Sequence, residues 1–267
     1  MQEERHGSSL SRFEGNLSGV DLGLLNGEVS ATRLETWVDC PFAFFAEYVL
    51  GVRPLDKSSD RTDLAPLVRG SIIHRALHRL VDESLTNGSN PGAGEAWTAA
   101  HRARAAELLH EECSYVEARG EAAHPRFWPT IRARLAAELD DFLVLDSSFR
   151  AHFGSRPIAA ELRFGGESAL VVTLANGRNI RFRGAIDRID ETADGEFVVV
   201  DAKTGAPGRY KSIPNEHFPN GSFLQLPIYA LAAATEDRKA THAAYAFVGK
   251  VSESDRHLGY DIDDEVI

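Results

Sequence analysis

The chain has 267 residues, 43% of them hydrophobic and 26% charged, with a formal net charge of −11. That length supports a substantial core, and no apolar run approaches the length that crosses a bilayer. The acidic balance excludes a long-range attraction to nucleic acid spread over the whole surface, so phosphate contacts must come from a local basic face or from a partner.

In chain order, residues 1–29 are polar and Gly/Ser-rich and read as a lead-in or linker. They contain no hydrophobic signal region, and the two cysteines, Cys40 and Cys113, cannot form a disulfide framework, so a cytoplasmic site is expected. Ser30 is a good N-cap for a helix over 31–38. Pro41 suits the first turn of a second helix, 42–50, which Gly51 closes, with Phe42, Phe44, Phe45 and Tyr48 expected in the core. A charged loop, 53–66, leads to a helix over 68–85 with Ile73, Ala76, Leu77, Leu80 and Val81 on one side. His74 lies against that stripe, where a lone histidine is ordinarily a core residue. His78 follows one turn later, but a zinc site would need a third nitrogen or sulfur ligand and none is indicated. The turn-rich stretch 86–94 precedes two helices, 95–119 and 129–149, expected to cap a sheet. Their arginines (Arg102, Arg104, Arg126, Arg132, Arg134) read as solvated rather than as DNA contacts.

From Pro157 the pattern changes to strands. Residues 158–164 carry Glu161, and 169–174 run to an Asn176-Gly177 turn. Ile180, Phe182, Gly184 and Ile186 alternate with Arg181, Arg183, Ala185 and Asp187, a half-buried strand ending in an acid. Asp194-Gly195 predicts an antiparallel hairpin with the fully apolar run 197–200, which leads into Asp201, Ala202 and Lys203. Alternation places Asp201 and Lys203 on one side and Ala202 on the other, with Asp187 opposite Val199 or Asp201 on the lysine's face. The apolar phase slips at Arg188-Ile189, which predicts a bulge beside this spot.

Two carboxylates crowded at the end of a buried strand repel unless a cation lies between them. Oxygen donors of this kind suit Mg²⁺ or Mn²⁺ better than zinc, and a neighbouring lysine can orient water or neutralise charge on a phosphate. Downstream, 204–221 is rich in Gly, Pro and basic residues, including Arg209 and Lys211, and reads as a loop over phosphates. Ser222 can cap a helix over 223–235 that Pro227 distorts, with Gln225 and Tyr229 on one face. Strands are expected at 245–248 and 258–262, and the final DIDDEVI reads as cut rather than finished.

The motifs I-D-R-I-D and V-V-D-A-K-T-G, together with S-A-T-R-L-E-T-W-V-D-C-P-F-A-F-F at 30–45, R-G-S-I-I-H at 69–74 and Q-L-P-I-Y at 225–229, resemble the RecB/AddB-like branch of the PD-(D/E)XK nucleases. That resemblance implies an α/β fold with a central mixed sheet flanked by helices and an added helical section, occupying residues 30–267. It implies a Mg²⁺- or Mn²⁺-dependent DNA exonuclease acting on single-stranded ends, attached to a helicase domain or subunit and serving double-strand break repair. Asp187 and Asp201 would hold the metal, with His74 as third ligand and the Ala202 carbonyl as a fourth. Lys203 would activate water, Glu161 would support metal or water, and Gln225 and Tyr229 would position the substrate. In several relatives a cysteine at the Cys40 position ligates an iron–sulfur cluster. No cysteine follows Cys113, so either the cluster is absent or the sequence stops before its other ligands, and as the sequence stands Cys40 is expected to be a buried thiol. No G-x-x-x-x-G-K-[ST] loop occurs, so ATP-driven unwinding does not reside in this sequence. The rival reading, a non-catalytic module binding DNA or a helicase, would show a broken D…D-x-K set, and here the set is complete.

Overall fold

The structure, a computed structural model, describes residues 23, 27–53, 62–218, 221–235 and 237–263. Most of the lead-in expected at 1–29, much of the charged loop at 53–66 and the end of DIDDEVI lie outside the described residues. The helical part begins with α1 (Ala31–Asp39), where the Ser30 hydroxyl accepts the Arg33 amide at 3.2 Å as expected of an N-cap. Then α2 (Pro41–Phe44) runs into a π-helical turn, Phe45–Val49. Three long helices follow: α3 (Pro66–Asn87), α4 (Ala99–Ala118) and α5 (Trp128–Phe153). Glycines in the left-handed conformation, Gly88 at φ 71° and Gly154 at φ 55°, end α3 and α5, a conformation that costs other residues a Cβ clash.

The strands are β1 (Glu28–Val29), β2 (Ser155–Phe164), β3 (Leu170–Thr173), β4 (Asn179–Phe182), β5 (Gly184–Thr192), β6 (Phe197–Lys203), β7 (Ala240–Phe247) and β8 (His257–Asp261), with α6 (Gln225–Ala233) between β6 and β7. Five of them form a mixed sheet in the order β2-β5-β6-β7-β8, in which β6 and β7 are parallel and the other neighbours antiparallel. Parallel neighbours need a crossover, and α6 supplies it. A small second sheet has the order β1-β4-β3. Glu28 and Val29, within the expected lead-in, are therefore a strand paired with Arg181 and Phe182.

Consecutive residues of β6 enter different cores. Val198 and Val200 pack with α3 and α5, while Val199 joins Ile186, Leu226, Tyr229, Tyr245 and Phe247 beneath α6. The uninterrupted apolar run thus reflects a strand covered on both faces.

Several details differ from the sequence expectation. The single strand expected through 180–187 divides at Arg183, whose amide bonds the Val29 carbonyl at 3.0 Å, and the chain passes from the small sheet to the large one. A register shift does occur, but on β2, between Pro157 and Ala159. The phase slip in β5 has another cause: Arg188 and Asp190 are buried against α5, where Arg188 Nη2 reaches Asp146 Oδ1 at 2.7 Å. Cys40 is exposed rather than buried, and its sulfur caps α2 by accepting the Ala43 amide at 3.4 Å. Phe42 is 77% exposed, because residues two apart on a helix point to opposite sides and only Phe44 reaches the core. Helix α6 starts at Gln225 rather than 223, placing Pro227 in the first turn, where its missing N–H costs nothing. The Ser222 hydroxyl bonds Asp39 at 3.0 Å instead of capping α6. Among the described residues, no helix is long and apolar enough to cross a membrane.

Candidate active site

The C-terminal end of β6 is where the chemistry gathers. The β5–β6 ladder closes at the pair Arg188–Val200, so Asp187 and Asp201 are the next residues on each strand. With no ladder bond left to make, the Asp187 carboxylate takes one itself, accepting the Ala202 amide at 2.8 Å on Oδ2. Its other oxygen lies 3.3 Å from His74 Nδ1. Helix α3 is held in place for this by Arg69, five residues before His74. The Arg69 guanidinium donates to the Thr204 carbonyl just past β6, to the Val248 carbonyl at 3.0 Å just past β7, and to Glu138 of α5 at 2.7 Å.

Asp201 and Lys203 sit two residues apart and pair directly, as strand alternation requires. Lys203 Nζ also donates to Gln225 Oε1 at 2.8 Å and lies 5.0 Å from the centre of the Tyr245 ring. The Gln225 amide nitrogen in turn faces the Tyr229 hydroxyl at 3.4 Å. Asp187 does not share the lysine's face as expected: it lines a cavity of about 250 Å³ together with Ala202, His74, His78 and Glu161, and the ladder's open end lies between it and Asp201. The Ala202 amide bond is what draws it there.

Electrostatics bear on what this cluster can hold. Burial, helped by the charge on Asp187, pushes the Asp201 carboxyl up to about 6 against the pull of Lys203. Burial lowers Lys203 and His74, but Asp201 outweighs it for the lysine and Asp187 for the imidazole, so both cations end above their ordinary values. Burial pushes the Tyr229 hydroxyl up to about 12, which keeps it protonated. Among the described residues, no three His, Cys, Asp or Glu side chains form a ready-made metal cluster. The donor set nevertheless fits a hard divalent ion: two carboxylates, one of them buried and raised by that burial despite its lysine, beside a carbonyl-bearing strand end and an imidazole.

The other expected residues lie around this centre. Glu161, on β2, has left-handed backbone geometry at φ 48° and shares its carboxylate between Arg163 and His78 Nδ1, the latter at 2.8 Å. Arg209 and Lys211 pair with carboxylates outside the cluster, Asp39 at 3.2 Å and Asp255 at 2.8 Å. Such exposed pairs are weak enough to exchange for phosphate. Cys40 stands between α1 and α2, next to Asp39, and its sulfur makes its capping contact with the Ala43 amide. Sequence reasoning passed over Glu35, Arg69 and the pairing of His78 with Glu161. Glu35 alone had a local signal, since it follows Ala31 by four residues on the inward face of α1.

Residues 28–265 match the profile of the PD-(D/E)XK nuclease superfamily. The chain is 31% identical over 238 residues to an ATP-dependent helicase/deoxyribonuclease subunit from Symbiobacterium thermophilum, covering 83% of this chain and 19% of that protein. The corresponding protein from Clostridioides difficile is 26% identical over 254 residues, 91% of this chain and 21% of that one. The Acetivibrio thermocellus counterpart is 29% identical over 186 residues, 66% of this chain and 15% of that one. The chain thus spans about a fifth or less of the length of these relatives. With a mixed sheet flanked by helices and the D…D-x-K residues at its central strand end, this chain belongs to the PD-(D/E)XK nuclease superfamily.

Proposed function

We propose that this chain is a metal-dependent deoxyribonuclease domain that hydrolyses phosphodiester bonds, working exonucleolytically on single-stranded ends beside a helicase in double-strand break repair. The observation that carries the reading is that Asp187 and Asp201 flank the open end of the β5–β6 ladder, with Lys203 on Asp201, His74 on Asp187 and Gln225 on Lys203. The helicase partner and the repair role are inferred from the names of the relatives, helicase/deoxyribonuclease subunits of which this chain matches a minor part.

Asp187, Asp201, the Ala202 carbonyl and His74 would hold Mg²⁺ or Mn²⁺, which when bound polarises the phosphate and makes hydroxide available near neutral pH. The residues themselves do the rest. Lys203, fixed between Asp201 and Gln225, presents its ammonium to the oxygen that attacks or to the charge that builds on phosphorus. Tyr229 donates as a neutral hydroxyl, and Gln225 sets the lysine's direction. Glu161 and His78 line the adjoining cavity with Asp187, where they can hold water.

The test is degradation of single-stranded DNA with and without Mg²⁺, comparing wild type with Asp201→Ala. The reading expects Mg²⁺-dependent cleavage that falls by at least about 100-fold in the variant. Equal activity in both proteins would remove the site.

A further inference from the structure

Helix α6 begins without a local cap. Leu224 before it offers no side-chain acceptor, and Phe223 before that holds a left-handed conformation at φ 62°. The acceptor comes from 190 residues away, from Glu35 on α1, whose Oε1 takes the Gln225 amide N–H at 3.1 Å beside the Leu224 amide. An acid there answers both the unpaired N–H groups and the positive end of the helix dipole.

The choice of residue is costly on its own terms. Glu35 is only 9% exposed, and burial pushes its carboxyl above the ordinary value against the pull of the Gln225 amide and Lys203. A serine or aspartate at 224 could cap α6 locally without burying a distant carboxylate. A cap sent from α1 does something a local one cannot: it fixes where the first turn of α6 lies relative to the rest of the molecule. The first residue of that turn is Gln225, whose side-chain oxygen holds Lys203 Nζ at 2.8 Å beside Asp201.

We infer that Glu35 is a positioning residue for the nuclease reaction. It pins the first turn of α6 so that Gln225 keeps the Lys203 ammonium on the Asp201 side of the site. Glu35 touches no reacting atom and acts through Gln225. This rests on the nuclease reading of the site.

The experiment measures kcat and KM on single-stranded DNA with Mg²⁺ for wild type, Glu35→Ala, Glu35→Gln, Gln225→Ala and the double variant Glu35→Ala/Gln225→Ala, with Asp201→Ala as reference. Acylation of Lys203 in the folded proteins, read by mass spectrometry, reports the lysine's confinement without requiring turnover. Glu35→Ala is expected to lower kcat about 10- to 100-fold, as a slight misplacement of a catalytic group does, with KM within about threefold. Its Lys203 is expected to acylate faster. Glu35→Gln keeps an accepting oxygen and recovers most of the rate, and the double variant is no slower than Gln225→Ala alone. If Glu35→Ala does not stay folded, Glu35→Asp replaces it, since its oxygen is drawn back by one methylene and the same losses are expected. An unchanged kcat with unchanged Lys203 labelling, or additive losses in the double variant, overturns the role of Glu35 while Asp201→Ala remains inactive. Full activity in Asp201→Ala overturns the nuclease reading, and this inference with it.

Discussion

Lys203 is the side chain on which the two halves of the site meet: Asp201 beside it on β6, Gln225 across from it on α6, and the Tyr245 ring beneath. An ammonium held by a carboxylate and an amide oxygen has few rotamers left, and that preorganisation is what a reaction building negative charge on phosphate uses. On α3, two histidines one turn apart hold different acids, His74 the Asp187 carboxylate and His78 that of Glu161. Their variants should therefore differ. His74→Ala removes a proposed metal ligand and is expected to weaken apparent Mg²⁺ affinity about 10- to 100-fold in a titration of activity. His78→Ala frees only Glu161 and should leave that affinity within a few-fold. Equal losses of affinity in the two variants would contradict the separate roles.

At the scale of elements, the junction of β4 and β5 leaves no room for a side chain. A Cβ on Gly184 would lie 2.8 Å from Phe164 Cζ and 3.1 Å from Tyr229 Cε1, so Gly184→Ala is expected to cost about 1–3 kcal/mol in urea denaturation, as overpacking does. An unchanged midpoint would mean that Phe164 can move aside freely. This junction also shows what could be read from the residues alone. The apolar run of β6, the turn at Asp194-Gly195 and the alternation that pairs Asp201 with Lys203 all follow from local pattern, and the structure has them. The split at Arg183 did not, because alternation is the same whichever sheet a strand joins. Glu35 stayed hidden for a related reason: its partner is 190 residues away, and nothing in α1 marks an acid as a cap for another helix. The exposure of Cys40 and Phe42 likewise depends on which side of α2 packs inward, which hydrophobicity cannot report.

Across the whole molecule, the helical part and the sheet are joined by buried charge as well as by apolar contact. Asp146 of α5 takes Arg188 of β5 on both oxygens, at 2.7 and 3.0 Å, and also receives Trp97 Nε1 at 2.9 Å and Arg150 Nε at 3.3 Å. Asp190 and His257 face the same cluster. Burial would raise the Asp146 carboxyl, but Arg188 outweighs it and holds the group far below the carboxylate range. A carboxyl lowered in the folded state stabilises the fold above its unfolded value, about 3.9, and loses that contribution as pH falls below it. Asp190 runs the other way: burial pushes it up to about 6, so its own contribution grows as pH falls from 6 toward 4. Asp146→Asn is thus expected to destabilise the protein by about 3–5 kcal/mol at pH 7 in thermal or urea unfolding, with a gap from wild type that narrows below pH 4. A gap constant with pH would deny the charge its role.

The central claim is that Asp187 and Asp201, brought to the open end of one β ladder, jointly hold a divalent ion. Calorimetric titration of the full chain with Mn²⁺ tests it most directly, comparing wild type with Asp187→Asn/Asp201→Asn. One ion bound per wild-type chain and none by the doubly substituted protein is the expected result. Equal binding by both would place the ion elsewhere and contradict the account.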